Sequence, residues 1–163
     1  MNSHGFLSYG LRVNGIVHDV VDMPFSASLL DVLRNRLEFV GTKQGCEDGQ
    51  CGACTVLIDG QAVNSCLELA AEAVGRAIVT IEGYNHPDGS LTPLQEALVK
   101  HAGIQCGFCI PGIVLAAESL LAECPEATEE EIRRELDGNL CRCTGYSSIL
   151  AAILEVAEAR RGS

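Results

Sequence analysis

Nine cysteines in a chain of 163 residues set the chemistry available to this protein. Eight of them fall into two sets of four. The first set is Cys46, Cys51 and Cys54, with Cys66 arriving from a later segment. A C-x4-C-x2-C run completed by a distant Cys is the plant-type spacing for a 2Fe–2S cluster. Three ligands on one loop must wrap a small inorganic core, so the backbone has to bend sharply. Gly45, Gly49 and Gly52 permit the bending and leave amides free to bond the sulfurs. Structural zinc sites more often pair one C-x2–4-C with another such pair. The first set therefore reads as an iron–sulfur site. The second set is Cys106 and Cys109, then Cys141 and Cys143. C-x2-C plus C-x-C is less specific, and zinc stays a rival for these four alone. Position favours a cluster: Cys109 precedes a helix start at Pro111, and Cys141 and Cys143 precede the last helix. Two facing helix N-termini would aim amides at a negative centre. Cys124 ends a helix before Pro125, has no partner spacing, and reads as a semi-buried structural thiol.

No other constellation carries chemistry. His4, His18, His86 and His101 have no ligand spacing and read as surface or turn residues. Glu129, Glu130 and Glu131 read as a solvated helix start favoured by the helix dipole. A GxGxxG loop, a nucleophile elbow and a paired-carboxylate site are all missing. The chain is expected to have no catalytic residue of its own.

The elements that must position the cysteines divide into two kinds. Residues 6–22 alternate like paired strands about Asn14-Gly15, a strong hairpin turn. Ser26 or Ser28 can cap a helix with Leu29, Leu33 and Leu37 on one face. Residues 55–58 form a short buried strand turned by Asp59-Gly60, and residues 77–81 form another. This half reads as a small mixed sheet with one helix across it. Residues 84–90 are rich in turn formers and read as a link. Beyond it the period turns helical. Thr92-Pro93-Leu94-Gln95 sets out a capping box, and the helix it opens stops near Gly103. Pro111 opens a second helix, Thr128 to Glu131 cap a third, and Ile149, Ile153 and Val156 mark a last one. Four short helices with short loops predict a compact bundle. The expected domains are residues 1–84 and 85–163, and the expected class is α+β.

Composition supports a folded, acidic chain. Apolar residues make up 47% of the chain and aromatics only 4%, so the core is aliphatic. The formal charge of −11 becomes roughly −15 if two oxidised clusters add −2 each, as −11 − 2 − 2. Such a chain is repelled by nucleic acid and by anionic lipid. No apolar stretch reaches the ~18 residues of a membrane span, and the first ten residues lack the pattern of a signal peptide. Spaced cysteines in a reducing cytoplasm point to metal before disulfide.

Three segments together carry a family resemblance. They are Gly41-Thr-Lys-Gln-Gly-Cys-Glu-Asp-Gly-Gln-Cys-Gly-Ala-Cys-Thr55, Gln105-Cys-Gly-Phe-Cys-Ile-Pro-Gly112 and Gly138-Asn-Leu-Cys-Arg-Cys-Thr-Gly-Tyr146. In this order they resemble the iron–sulfur subunit of the molybdenum hydroxylases, the family of xanthine dehydrogenase, aldehyde oxidoreductase and aerobic carbon monoxide dehydrogenase. The match covers nearly the whole chain. It implies an N-terminal β-grasp plant-type ferredoxin-like domain and a C-terminal four-helix bundle, each with one 2Fe–2S cluster. It implies a large partner subunit holding the molybdopterin cofactor, usually a medium subunit holding FAD, and a hetero-oligomer built as a dimer of heterotrimers. It also implies that Gln105 and Cys143 touch the pterin, Cys143 being a cluster ligand as well. One departure is Ile110, where the family commonly has Thr. The function implied is an electron relay from molybdenum through two clusters to FAD or an external acceptor. A free two-cluster ferredoxin is the alternative, and a zinc-stabilised interaction module is a third. Purines, N-heterocycles, aldehydes, acyl-CoA thioesters and carbon monoxide all stay open as substrates of the complex.

Overall fold

The computed structural model describes residues 5–86 and 88–161. His4 therefore lies outside the described residues. Asn14 and Gly15 both have positive φ, 52° and 82°, the geometry of a type I′ turn. They join strand β1 (Phe6–Val13) to the antiparallel strand β2 (Ile16–Pro24). Helix α1 (Leu29–Asn35) starts at Ser28, whose hydroxyl accepts the Asp31 N–H. Leu29, Leu30, Val32 and Leu33 are buried, and Leu37 lies beyond the helix end but still packs on the core.

Strand β3 (Thr55–Ile58) is buried along its length. Asp59-Gly60 turns it into β4 (Gln61–Asn64), a partner strand absent from the sequence reading. Strand β5 (Ala77–Val79) runs parallel to β1 and antiparallel to β3. The sheet order is β2-β1-β5-β3-β4, a mixed sheet with α1 against its core. β5 is two residues shorter than expected for a physical reason. The Thr80 N–H leaves the ladder to bond the Asn14 carboxamide at 2.9 Å, and a 3-10 turn begins at Ile81.

The second half is helical. α2 (Pro93–Lys100) and α4 (Glu129–Leu136) each begin with the complete capping box expected, at Thr92 with Gln95 and at Thr128 with Glu131. α3 (Ile110–Glu123) and α5 (Ser147–Arg161) are the long members. Leu94, Leu98, Ile113, Ile132, Ile149 and Ile153 make a second core. The whole is α+β, a mixed sheet and five helices.

The two halves are bonded to each other. α3 lies against β3 and β4. Its Ser119 hydroxyl accepts the Ala62 N–H and donates to the Gly60 carbonyl, both at 3.1 Å, which pins the β3–β4 turn. Glu118, also buried on α3, takes Arg160 of α5 at 2.7 Å. Among the described residues no helix is long and apolar enough to cross a membrane.

Candidate iron–sulfur sites

The loop that carries Cys46, Cys51 and Cys54 leads directly into β3. Its bends need two glycines for different reasons. Gly52 has φ +66°, and a Cβ there would lie 2.1 Å from the Gly138 carbonyl oxygen. Gly45 is needed for space: a Cβ would lie 2.7 Å from the Cys51 sulfur. Cys66 sits just past β4, beside Ser65, which is fully buried and donates to the Cys54 carbonyl at 2.7 Å. Asn64 steadies the loop through its amide, which donates to the Gly49 carbonyl at 3.0 Å.

The cysteines of this half group two by two. The Cys51 N–H donates to the Cys46 sulfur at 3.3 Å. The Cys54 and Cys66 thiols act on each other, and burial, reinforced by Cys54, pushes the Cys66 thiol up to about 11. The helical half repeats the arrangement. The Cys143 and Cys106 sulfurs approach to 3.6 Å. Cys109 and Cys141 form the other pair, and burial first, then Cys141, pushes the Cys109 thiol up to about 12. Burial opposes ionisation of Cys141 as well, but the Thr144 hydroxyl at 3.2 Å and its amide outweigh it and hold that thiol low.

Two-by-two grouping suits one kind of metal centre. In a 2Fe–2S cluster each iron takes two protein ligands. A mononuclear zinc site needs its donors around a single point. The donors present, four thiols per half in two pairs, fit a two-iron centre in each half.

The expectation of two facing helix starts needs correction. Cys109 is the N-cap of α3, as expected. Cys141 and Cys143 stand apart from the α5 start at Ser147, separated by a loop with Tyr146 at φ +69°. The Cys141 N–H donates to the Tyr146 hydroxyl at 2.7 Å, so it is not aimed at a cluster. Gln105, Cys106 and Cys143 are exposed together, with Ile104 and Phe108 on the same loop. Cys124 is the C-cap of α3 and packs against the helical core. His18 is less free than expected, since its ring meets Phe39 edge-on at 5.4 Å. His101 and Lys100 share the Glu155 carboxylate, each at 2.7 Å.

Sequence reading missed the polar residues that brace the loops: Asn64, Ser65, Thr55 and Asn139. Their one signal was a polar side chain beside a cysteine or inside an apolar run. Asn139 is buried, and its amide donates to the Gly52 carbonyl at 2.9 Å.

Comparison with known proteins agrees with this geometry. The family description "2Fe-2S iron-sulfur cluster binding domain" matches residues 12–78. The description "[2Fe-2S] binding domain" matches residues 80–154. The nicotine 6-hydroxylase small subunit of Paenarthrobacter nicotinovorans is 52% identical over 128 residues, covering 78% of this chain and 76% of its own. The aldehyde oxidoreductase iron-sulfur-binding subunit PaoA of Escherichia coli (strain K12) is 43% identical over 162 residues, covering 90% and 70%. Quinoline 2-oxidoreductase from Pseudomonas putida 86 contains a chain that superposes with a TM-score of 0.90 at 42% identity, covering 98% of both chains. Aldehyde oxidoreductase from Desulfovibrio gigas superposes with a TM-score of 0.87 at 41% identity, over 96% of this chain and 17% of that one. The fold and paired thiols define a protein with two 2Fe–2S-binding domains. The chain belongs to the iron–sulfur subunit family of the molybdenum hydroxylases.

Proposed function

We propose that this chain is the electron relay of a molybdenum hydroxylase, with one cluster on Cys46, Cys51, Cys54 and Cys66 and the other on Cys106, Cys109, Cys141 and Cys143. The observation that carries the reading is the grouping of cysteines in each half: the Cys51 N–H lies on the Cys46 sulfur, the Cys106 and Cys143 sulfurs approach to 3.6 Å, and Cys54 with Cys66 and Cys109 with Cys141 act on each other's thiols. Each pair would hold one iron. When bound, the clusters supply one-electron redox chemistry. The chain supplies eight thiols, of which Cys54 and Cys109 are buried, together with amides on the sulfurs such as the Cys51 N–H on Cys46.

Residues 1–84 are then a β-grasp ferredoxin-like domain, and residues 85–163 a four-helix bundle domain. Gln105 and Cys143, both exposed, face the pterin held by a large partner subunit. Electrons enter at the helical half and leave from the loop half toward FAD in a medium subunit, or toward an external acceptor. The assembly is a dimer of heterotrimers in the cytoplasm. A free ferredoxin has less support, since the named relatives are subunits of oxidoreductases.

The test is metal analysis of the purified complex, followed by single-turnover reduction. About four irons and about four acid-labile sulfides per chain are expected. Stoichiometric zinc with half the iron would remove the second cluster from the proposal. With Cys51→Ala in an intact complex, reduction of the helical-half cluster should persist while transfer to the acceptor collapses. The reverse pattern would exchange entrance and exit.

A further inference from the structure

Asn139 lies in one of the three diagnostic segments, yet it is not a sulfur ligand and does not reach the solvent-facing Gln105 rim. Its side chain is 4% exposed. The amide Nδ2 donates to the Gly52 carbonyl at 2.9 Å and to the Thr55 hydroxyl oxygen at 3.3 Å. That hydroxyl itself donates to the same Gly52 carbonyl at 2.7 Å. One residue further on, the Leu140 N–H donates to the Cys51 carbonyl at 2.9 Å. Leu140 is bonded to Cys141, and Gly52 to Cys51. A route of covalent bonds and one hydrogen bond thus runs from Cys51 of one set through Leu140 to Cys141 of the other.

The seam is close because side chains are missing from it. A Cβ on Gly112, in the first turn of α3, would lie 2.3 Å from the Gly52 carbonyl oxygen. On its other side Asn139 is held by Tyr146, whose hydroxyl donates to the Asn139 carbonyl at 3.2 Å while accepting the Cys141 N–H. The Asn139 side chain grips one cysteine loop and its backbone is tied to the other. Losing this buried amide would remove the donor that ties Asn139 to the Gly52 carbonyl and the Thr55 hydroxyl, leaving that carbonyl to the Thr55 hydroxyl and N–H alone and the seam without its cross-loop side-chain bond.

We propose that Asn139 is the positioning residue that holds the Cys51 and Cys141 loops in hydrogen-bonded register and so sets the rate of electron transfer between the two clusters. The inference rests on the relay reading. The step moves one electron: the helical-half cluster is oxidised by one unit and the loop cluster is reduced by one. Asn139 keeps the Leu140 N–H on the Cys51 carbonyl and the gap between the loops short.

The experiment uses the assembled complex carrying Asn139→Ala, Thr55→Val or Gly112→Ala. Thr55→Val keeps the shape and removes the hydroxyl. Gly112→Ala suits the helical backbone, but its methyl would lie 2.3 Å from the Gly52 carbonyl oxygen and so must push the two loops apart. A pulse of viologen radical supplies one electron, and freeze-quench EPR follows its redistribution between the clusters. Fully dithionite-reduced samples give the magnetic splitting between them. In Asn139→Ala and Gly112→Ala we expect both clusters retained and redistribution slowed about 10- to 100-fold, the range for lost outer-shell partners. The splitting should shrink and the Leu140 amide should exchange faster, with Thr55→Val moving the same way by less. If Asn139→Ala sheds a cluster, Gly112→Ala and Thr55→Val decide the matter. Unchanged redistribution and splitting in cluster-replete variants overturn the role of Asn139. Clusters that exchange no electron in the unaltered complex sink the relay reading itself.

Discussion

The Cys106 and Cys143 sulfurs lie 3.6 Å apart although 37 residues separate them in the chain. Helix α3, helix α4 and their loops bring the two segments back to one place. Losing either sulfur should therefore have the same result. Cys106→Ser and Cys143→Ser should each remove about half of the iron and one of two paramagnetic signals. Cys124→Ser should keep both, because Cys124 packs on the helical core as the α3 cap. Iron analysis and EPR of the three variants check this. A cluster lost with Cys124 would overturn the ligand set.

The ion pair between Arg160 and Glu118 joins α5 to α3 at a buried carboxylate. Glu118 Oε1 has no hydrogen-bond partner among the described residues, so Arg160 is its main compensation. Tyr84 stands nearby, and burial, followed by its side-chain interaction with Glu118 and then the Glu118 charge, raises its hydroxyl above the usual tyrosine range. Arg160→Ala should cost about 1.5–3 kcal/mol of stability, the scale for a lost hydrogen bond to a charged group. Adding Glu118→Gln should recover much of the loss, since the unpaired charge goes with it. Denaturant unfolding of Arg160→Ala, Glu118→Gln and the double variant measures the coupling; strictly additive costs would mean that the pair does not interact.

Local signals carried the fold a long way. Asn14-Gly15 and the two capping boxes are short-range patterns with mechanisms, and each lies where it was read. β4 went unread because Gln61 and Asn64 leave only two apolar residues between them, and its pairing with β3 is tertiary. The site divides the same way. Spacing exposes all eight cysteines, but their pairing depends on where the loops fold. The Asn139 contact with Gly52 joins residues 87 apart, and no local pattern encodes it. Tyr146 was visible in its motif, yet its hydroxyl's claim on the Cys141 amide emerges only from the folded loop.

Acid should weaken the chain through carboxylates that the fold holds ionised. The Thr128 N–H at 2.7 Å, together with the Thr128 hydroxyl, keeps Glu131 below the ordinary carboxylate value. The Ala77 N–H and Arg76 do so for Asp59, and Lys100 and His101 for Glu155. A carboxyl with a lowered folded value contributes stability above its unfolded value, about 4, and loses that contribution as pH falls through the folded value. Glu131→Gln keeps an acceptor for the cap but cannot titrate. Its melting temperature should lie below that of the unaltered protein at about pH 5, with the gap closing toward about pH 3. Thermal melts across that range check it, and a gap that stays constant would contradict the lowered value.

Assembly should cover the rim around Gln105. The Cys106–Cys143 approach sets the 104–108 loop against the 140–143 loop, and both present apolar side chains. Ile104, Phe108 and Leu140 are 39%, 48% and 59% exposed, which matters because they flank the sulfur pair proposed to meet the pterin. An exposed apolar rim of this kind is costly in water and marks a contact surface. Phe108→Ser should leave the fold and both clusters in place, since half of its ring is already solvated. It should weaken binding of the large subunit by about 0.7–1.5 kcal/mol, roughly half the value for fully burying such a side chain, since about half of Phe108 is left to cover. Sedimentation or titration calorimetry with the large subunit measures the loss, and hydrogen exchange reports the place. Amides near Gln105 should slow on assembly, while those of the 46–52 loop respond to the flavin subunit instead. If adding the large subunit protects the 46–52 loop and leaves 104–108 unchanged, the electron entrance belongs at the other end of the chain.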